Sequence, residues 1–253
     1  MNERVLITGG AGGIGSALAR RVVAAGGSVV LFGRRPEPLQ TLAVELGDAA
    51  LAVPGDAGSA EDLARAVAAG VEKFGGLDGL AHCVGTIKLK PLHLATEQEF
   101  EETLRANLTT AFLAAKAALV EFRRVNKGSV VLVSTVAVRQ GLNNHELIAA
   151  AKGGVEGMVR SSAITYARQN IRFNAVAPGL TETPLAAPLL RTEAARAFSQ
   201  GMHPLGRVGT ADEVAGLIAY LLSPESSWVT GQVWGIDGGL GAGLAPPRVT
   251  AGA

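Results

Sequence analysis

The chain has 253 residues, 48% hydrophobic and 18% charged, with a formal net charge of +1 at pH 7. That length suits one large α/β domain, and the apolar share supplies an extensive core and argues against disorder. The near-neutral balance without a basic run leaves no electrostatic footprint for nucleic acid or an anionic membrane, which directs attention to a small-molecule partner. Cys83 is the single cysteine, so an intrachain disulfide is excluded, and four scattered histidines make no metal-ligand pattern. A reducing, cytoplasmic setting is expected. The start, MNERVLITGG, passes directly into a strand-like run, and no stretch approaches the ~18 apolar residues of a membrane span.

In chain order, short apolar runs rich in β-branched residues alternate with Ala-rich stretches of helical period. VLIT precedes a helix over 13–25, SVVLF one over 36–46, ALAV one over 59–74, LDGLAHCV one over 96–124, and SVVLVST one over 148–169. IRFNAVA then leads into a polar–apolar excursion, and QVWGID closes the series. This alternation predicts right-handed βαβ units and a parallel sheet with helices on both faces: a doubly wound α/β fold of the Rossmann type. The strands are apolar throughout, as strands buried on both faces must be. A single domain over 1–253 is expected, with a loose Gly/Pro/Ala tail from about 241 to 253.

The first strand-to-helix junction reads TGGAGGIG, Thr8 to Gly15. Glycines here let the backbone turn tightly and approach a pyrophosphate, which rests on the free N–H groups and positive end of the following helix. A glycine string alone is a weak signal, but one opening a helix directly after the first strand points to a nucleotide. Gly9, Gly13, Ile14 and Gly15 are therefore the expected phosphate-binding residues. The spacing is GxxxGxG, distinct from the general GxGxxG fingerprint.

With this motif the chain resembles the short-chain dehydrogenase/reductase family, and the resemblance extends over about residues 3 to 239. Asp56 in VPGDAGS matches the family aspartate at the adenine ring. Asn107 in RANLTTAF matches the helix asparagine that helps hold a proton-relay water. NAVAPGLTET, with Pro178, Gly179 and Thr183, is similar to the segment that packs along the nicotinamide. The closing segment from HPLGRVGT to GIDGG resembles the family's last helix and strand, which implies a homotetramer or homodimer.

The second strand ends VVLFGRRPEPL. An NAD enzyme places a carboxylate near this point for the ribose 2′-hydroxyl, whereas here Gly33 is followed by Arg34 and Arg35, whose guanidinium groups can fork onto a 2′-phosphate. NADP(H) is the expected cofactor.

Carbonyl reduction needs a proton donor at the oxygen, and the family supplies it with Tyr-x-x-x-Lys on one helix face. Lys152 is present, and Ile148 stands where that tyrosine is expected. The family serine falls on Thr135, with Ser134 its neighbour if the register shifts by one. His145, seven residues before Lys152, shares its helix face by spacing and is a candidate acid/base, with Glu146 beside it; the alternative is a polar loop capping the helix. The family's Asn-Asn-Ala-Gly after the fourth strand appears as His82, Cys83, Val84 and Gly85. Gly85 is expected to pass close to the cofactor, Cys83 to pack in the interior and His82 to have no catalytic role. By the resemblance, residues 180–205 occupy the substrate-covering segment, whose Leu/Ala/Pro face suggests an apolar wall; Arg191 and Arg196 are expected on the surface, the alternative being anchors for an acidic group.

Two functions follow. One is an NADP(H)-dependent oxidoreductase acting on a small apolar carbonyl, alcohol or enoyl substrate through an atypical proton donor, with Asn107, Thr135, Lys152 and His145 as the site. The other is a catalytically silent NADP(H)-binding sensor or assembly subunit.

Overall fold

Every apolar run becomes a strand in the computed structural model, which describes residues 2–243. In chain order these are β1 (Arg4–Thr8), β2 (Ser28–Gly33), β3 (Ala50–Pro54), β4 (Gly79–His82), β5 (Gly128–Val133), β6 (Ile171–Pro178), β7 (Thr181–Glu182), β8 (Gly209–Thr210) and β9 (Val233–Ile236). Seven of them form one parallel sheet in the order β3-β2-β1-β4-β5-β6-β9, and β7 and β8 form a separate parallel pair. The helices are α1 (Gly13–Ala24), α2 (Pro36–Leu46), α3 (Ala60–Phe74), α4 (Glu97–Leu104), α5 (Thr110–Val125), α6 (Glu146–Tyr166), α7 (Glu193–Met202) and α8 (Ala211–Leu222).

The strands carry apolar side chains at successive positions because both faces of the sheet are covered. Alternate residues serve different cores. Leu6, Val30, Phe32, Val130, Leu132 and Phe173 pack under α3, α5 and α6. Their neighbours Val5, Ile7, Val29, Leu31, Val131 and Val176 pack under α1, α2 and α8. Strand order reverses between β1 and β4, and the crevice beyond their carboxyl ends is where an open α/β sheet binds ligands.

Helix starts divide into two kinds. Ser59, Thr96, Thr192 and Thr210 each accept a backbone N–H with their side-chain oxygen, and Thr96 and Thr210 complete capping boxes with Glu99 and Glu213. By contrast α1 begins at Gly12 with no side-chain cap and no acid in its first turn. Its positive end therefore faces the crevice uncompensated.

Two boundaries differ from the sequence expectation. The helix over 96–124 is interrupted by a π-turn at Arg105–Thr109, which separates α4 from α5. Within it the Asn107 side-chain amide donates to the Thr103 carbonyl at 3.0 Å and the Thr110 hydroxyl donates to the Ala106 carbonyl at 2.9 Å, so side chains enter the helical ladder and widen it. The helix expected from 148 begins at Glu146, and its end over 167–169 tightens into a 3₁₀ turn. Gly241, the first residue of the expected tail, donates its N–H to Asp237 Oδ2 at 3.0 Å; residues 244–253, where the rest of that tail falls, lie outside the described residues. Among the described residues no helix is long and apolar enough to cross a membrane.

Candidate active site

A cavity of about 580 Å³ lies over the carboxyl ends of β1 to β4. Its floor is the turn from β1 into α1. Gly9 adopts φ +73°, and a Cβ there would stand 2.9 Å from the Cys83 carbonyl oxygen, so only glycine permits this approach of the first turn to the end of β4. A Cβ on Gly15 would collide with the Gly9 carbonyl oxygen, which requires a bare backbone at the first turn of α1. Ser16 N–H donates to Gly12 O at 2.9 Å and closes that turn, so the N–H groups of Gly13, Ile14 and Gly15 precede the helical ladder and have no acceptor within it. Arg34 and Arg35 line the far wall, exposed and without an ion-pair partner among the described residues. Asp56 lies at the same end, its Oδ1 accepting Gly58 N–H at 2.8 Å. The arrangement is an anion cradle with two free guanidinium groups.

A second cavity, of about 380 Å³, adjoins the first. The two share Ile14, Cys83, Val84, Gly85, Thr86, Thr183 and Leu185 as lining. The remaining wall is largely apolar: Ile87, Leu89, Leu142, Ile148, Leu180, Leu189, Phe198 and Met202. Pro178 and Gly179 at the end of β6 also line it, and Thr183 places its methyl 2.7 Å from where a Cβ on Gly13 would stand, so the 181–185 segment lies across the glycine turn.

Polar groups gather where the cavities meet. Lys152, 5% exposed, donates from Nζ to the Val133 carbonyl at 2.7 Å, and burial lowers its pKa from 10.5 to about 8. Asn107 is fully buried; its Oδ1 accepts Thr86 N–H and its Nδ2 donates to Thr86 Oγ1, both at 3.1 Å. A Cβ on Gly85 would lie 2.8 Å from Asn107 Oδ1 and 3.3 Å from Lys152 Nζ, which brings amide and amine together beside this glycine. Thr135 Oγ1 accepts Ala137 N–H at 3.3 Å and keeps its own proton uncommitted. Ser134, by contrast, gives its proton to Glu156 Oε1 at 2.8 Å.

His145 lines the second cavity, yet it is the residue preceding α6, not a member of its first turn. Its Nδ1 lies 2.7 Å from the Asn143 carbonyl, so Nδ1 donates there, and Nε2 has no protein partner among the described residues. It makes no side-chain cap. Glu146 is exposed and outside the cavity lining. Ile148 is buried in the cavity wall one turn before Lys152. Tyr166 stacks on Phe173 and Tyr220 is on the outer side of α8, so neither phenol reaches the site.

The segment after β4 is built around His82. Thr110 gives its proton to Ala106, so it accepts from His82 Nε2 at 3.2 Å, and His82 Nδ1 in turn accepts from Thr8 Oγ1 at 2.8 Å. Burial, aided by the Lys152 charge, holds the imidazole pKa down at about 3. It is a neutral cross-brace between β1, β4 and α5. Burial pushes the Cys83 thiol up to about 12, which keeps it protonated beside both cavities. Arg196 pairs with Glu182 outside the cavity, and Arg191 is exposed.

Three contributors escaped the sequence reading. Glu156 lies four residues after Lys152 on the same helix face, a spacing that was open to inspection. Thr86 becomes the partner of Asn107 only once the chain folds. His203 joins Ser199 O (2.6 Å) to Leu180 N–H (3.1 Å), tying the end of α7 to the turn after β6 through both ring nitrogens.

Known proteins resemble this chain over nearly its whole length. The family model described as enoyl-(acyl carrier protein) reductase matches residues 9–241. Cis-4-hydroxycyclohexanecarboxylate dehydrogenase of Sinomonas cyclohexanicum is 37% identical over 94% of this chain and 96% of that protein. Levodione reductase of Leifsonia aquatica is 35% identical, covering 94% of each. Among solved structures, a single-residue variant of actinorhodin polyketide ketoreductase with NADPH superposes with a TM-score of 0.90 at 31% identity, covering 95% of this chain and 97% of that one.

Proposed function

Because this chain belongs to the short-chain dehydrogenase/reductase family, we propose that it is an NADP(H)-dependent oxidoreductase acting on a small, apolar carbonyl, alcohol or enoyl substrate. The observation that carries the reading is the meeting of two cavities, an anion cradle and an apolar chamber, at Gly85 beside the buried Lys152 amine. The cradle's bare backbone, its uncapped helix end and its two unpaired arginines suit a dinucleotide bearing a 2′-phosphate. In this reading Gly9, Gly13, Ile14 and Gly15 hold the pyrophosphate, Arg34 and Arg35 the 2′-phosphate and Asp56 the adenine. Gly85, Lys152, Pro178, Gly179 and Thr183 border the nicotinamide riboside. When bound, the nicotinamide supplies or accepts the hydride.

The chain's own residues prepare the substrate. Leucines, Phe198 and Met202 exclude water from its body, and Lys152 is the one Lys, Arg, Asp or Glu among the described lining residues, so the chamber favours an uncharged molecule. Thr135 offers its hydroxyl proton to the substrate oxygen, and Asn107 fixes the floor. With Ile148 in the tyrosine position, the proton at oxygen comes from another wall group. Of the titratable side chains there, His203 commits both nitrogens and burial holds the Cys83 thiol protonated, which leaves His145 and Lys152. The same reading carries one domain, a reducing cytoplasmic setting and a homotetramer or homodimer, which sedimentation would measure.

The test is direct. Purified protein is expected to bind NADPH, followed by nucleotide fluorescence, and to oxidise it with some member of a panel of ketones, quinones and enoyl thioesters. A loss of about 100-fold in His145→Ala assigns the proton to the imidazole, and an unchanged rate removes that role. One observation favours the second reading, a silent NADP(H)-binding sensor or assembly subunit: the isoleucine where the family places its phenol. NADPH binding without turnover across the panel would establish it.

A further inference from the structure

We propose that Lys152 itself exchanges the proton with the substrate oxygen. The proposal rests on the oxidoreductase reading above and gives the ammonium a chemical role there in addition to any contact with a ribose. Its placement is the first argument. Nζ lies beside Gly85, one of the residues shared by both cavities, at the junction where hydride would pass between cofactor and substrate. Ile148, one turn earlier, places a hydrocarbon in the wall, so no protein hydroxyl on that turn stands between the amine and the chamber. One Nζ proton goes to the Val133 carbonyl, and the other two have no protein acceptor among the described residues. His145 enters the wall from the loop before α6.

The surroundings make the exchange workable near neutral pH. The titratable groups near the amine are His82 at the end of β4 and Cys83 just after it, and both are uncharged there. Glu156, on its own helix, is engaged by Ser134 and by Arg160 at 3.8 Å. Asn107 from the π-turn and Thr135 after β5 contribute dipoles, not charge. Burial leaves the ammonium acidic enough to release a proton near pH 8. In reduction, the carbonyl carbon gains the hydride and its π pair moves to oxygen. Oxygen then takes a proton from Nζ, leaving an alcohol, NADP⁺ and a neutral amine that solvent reprotonates. In oxidation the neutral amine takes the hydroxyl proton as hydride departs to NADP⁺.

Two measurements test this. In cofactor-free protein, the Lys152 side-chain NMR signal, assigned by its loss in Lys152→Arg, should titrate near pH 8; a midpoint above about 10, the ordinary lysine value, overturns the proposal without any turnover measurement. With the best panel substrate at saturating NADPH, Lys152→Arg keeps a cation that does not titrate in this range. Its NADPH affinity should stay within about threefold while kcat falls at least about 100-fold, and methylamine should partly restore Lys152→Ala. Lys152→Arg retaining kcat within about fivefold, or a collapse confined to His145→Ala, overturns the proposal and leaves the oxidoreductase reading standing. Wild-type protein that binds NADPH and turns over nothing removes both.

Discussion

Replacing Lys152 with methionine should stabilise the cofactor-free protein at neutral pH and abolish a specific pH dependence. The folded-state pKa is about 8 against an ordinary value of 10.5, a depression caused by burial of a side chain that is 5% exposed. At about 1.36 kcal/mol per pH unit, the difference of about 2.5 units corresponds to about 3 kcal/mol. The sign follows from proton counting. Below pH 8 both states hold the proton, and folding carries the whole cost of burying a charge. Between pH 8 and 10.5 the unfolded chain binds the proton while the native amine has lost it, so wild-type stability rises with pH and then levels off. Lys152→Met removes the ionisation and leaves the Val133 carbonyl without its Nζ donor, a loss of about 1 kcal/mol. The variant should therefore be more stable by about 2 kcal/mol at pH 7 and less stable by about 1 kcal/mol at pH 10.5. Urea unfolding followed by far-ultraviolet circular dichroism, at one protein concentration across that range, reads both values. Parallel stability curves for wild type and variant would refute the reasoning, because they would mean that the amine keeps a solution-like pKa in the fold.

Three further outcomes are expected. Arg34→Ala with Arg35→Ala should weaken NADPH binding by at least about tenfold and leave NADH nearly unchanged, since each lost charge-assisted contact is worth about 1.5 kcal/mol or more; equal losses for both nucleotides in a fluorescence titration would contradict the phosphate assignment. Gly15→Ala puts a methyl against the Gly9 carbonyl oxygen, so it should both lower the melting temperature and remove measurable NADPH binding, and a variant that binds normally would contradict the cradle. Asn174 is fully buried, donating to the Val229 carbonyl at 2.8 Å and accepting Gln232 N–H at 3.2 Å. Asn174→Ala leaves the Gln232 N–H beside β9 without its acceptor, while the Val229 carbonyl keeps Arg172 Nη1 at 3.2 Å, and should cost about 1–3 kcal/mol in chemical unfolding; a change below about 0.5 kcal/mol would show that water replaces the side chain.

The strands, their alternation with helices and the glycine turn were legible because each depends on local properties: hydrophobic runs, helical period and the freedom of glycine. The interruption at Asn107 was not, since the apolar period continues through 105–109 and only the side-chain bonds to Thr103 and Ala106 carbonyls reveal the wider turn. His145 shows the same limit. Seven-residue spacing assumes that the helix continues back to it, whereas α6 begins one residue later and the imidazole enters the cavity wall from the preceding loop. Arg34 and Arg35 follow β2 directly, so their place at the cradle was readable from the chain; their lack of partners was not.

What the sequence determined by itself is the layered α/β architecture, the location of the anion cradle and the isoleucine in the wall, because periodicity and residue type act over a few neighbours. Only the tertiary structure decided the character of the amine at residue 152. Its acidity depends on how completely Cys83, Gly85, Asn107 and Val133, brought from distant parts of the chain, exclude water from one nitrogen. Desolvation is a property of three-dimensional enclosure, and a run of residues read in order does not contain it.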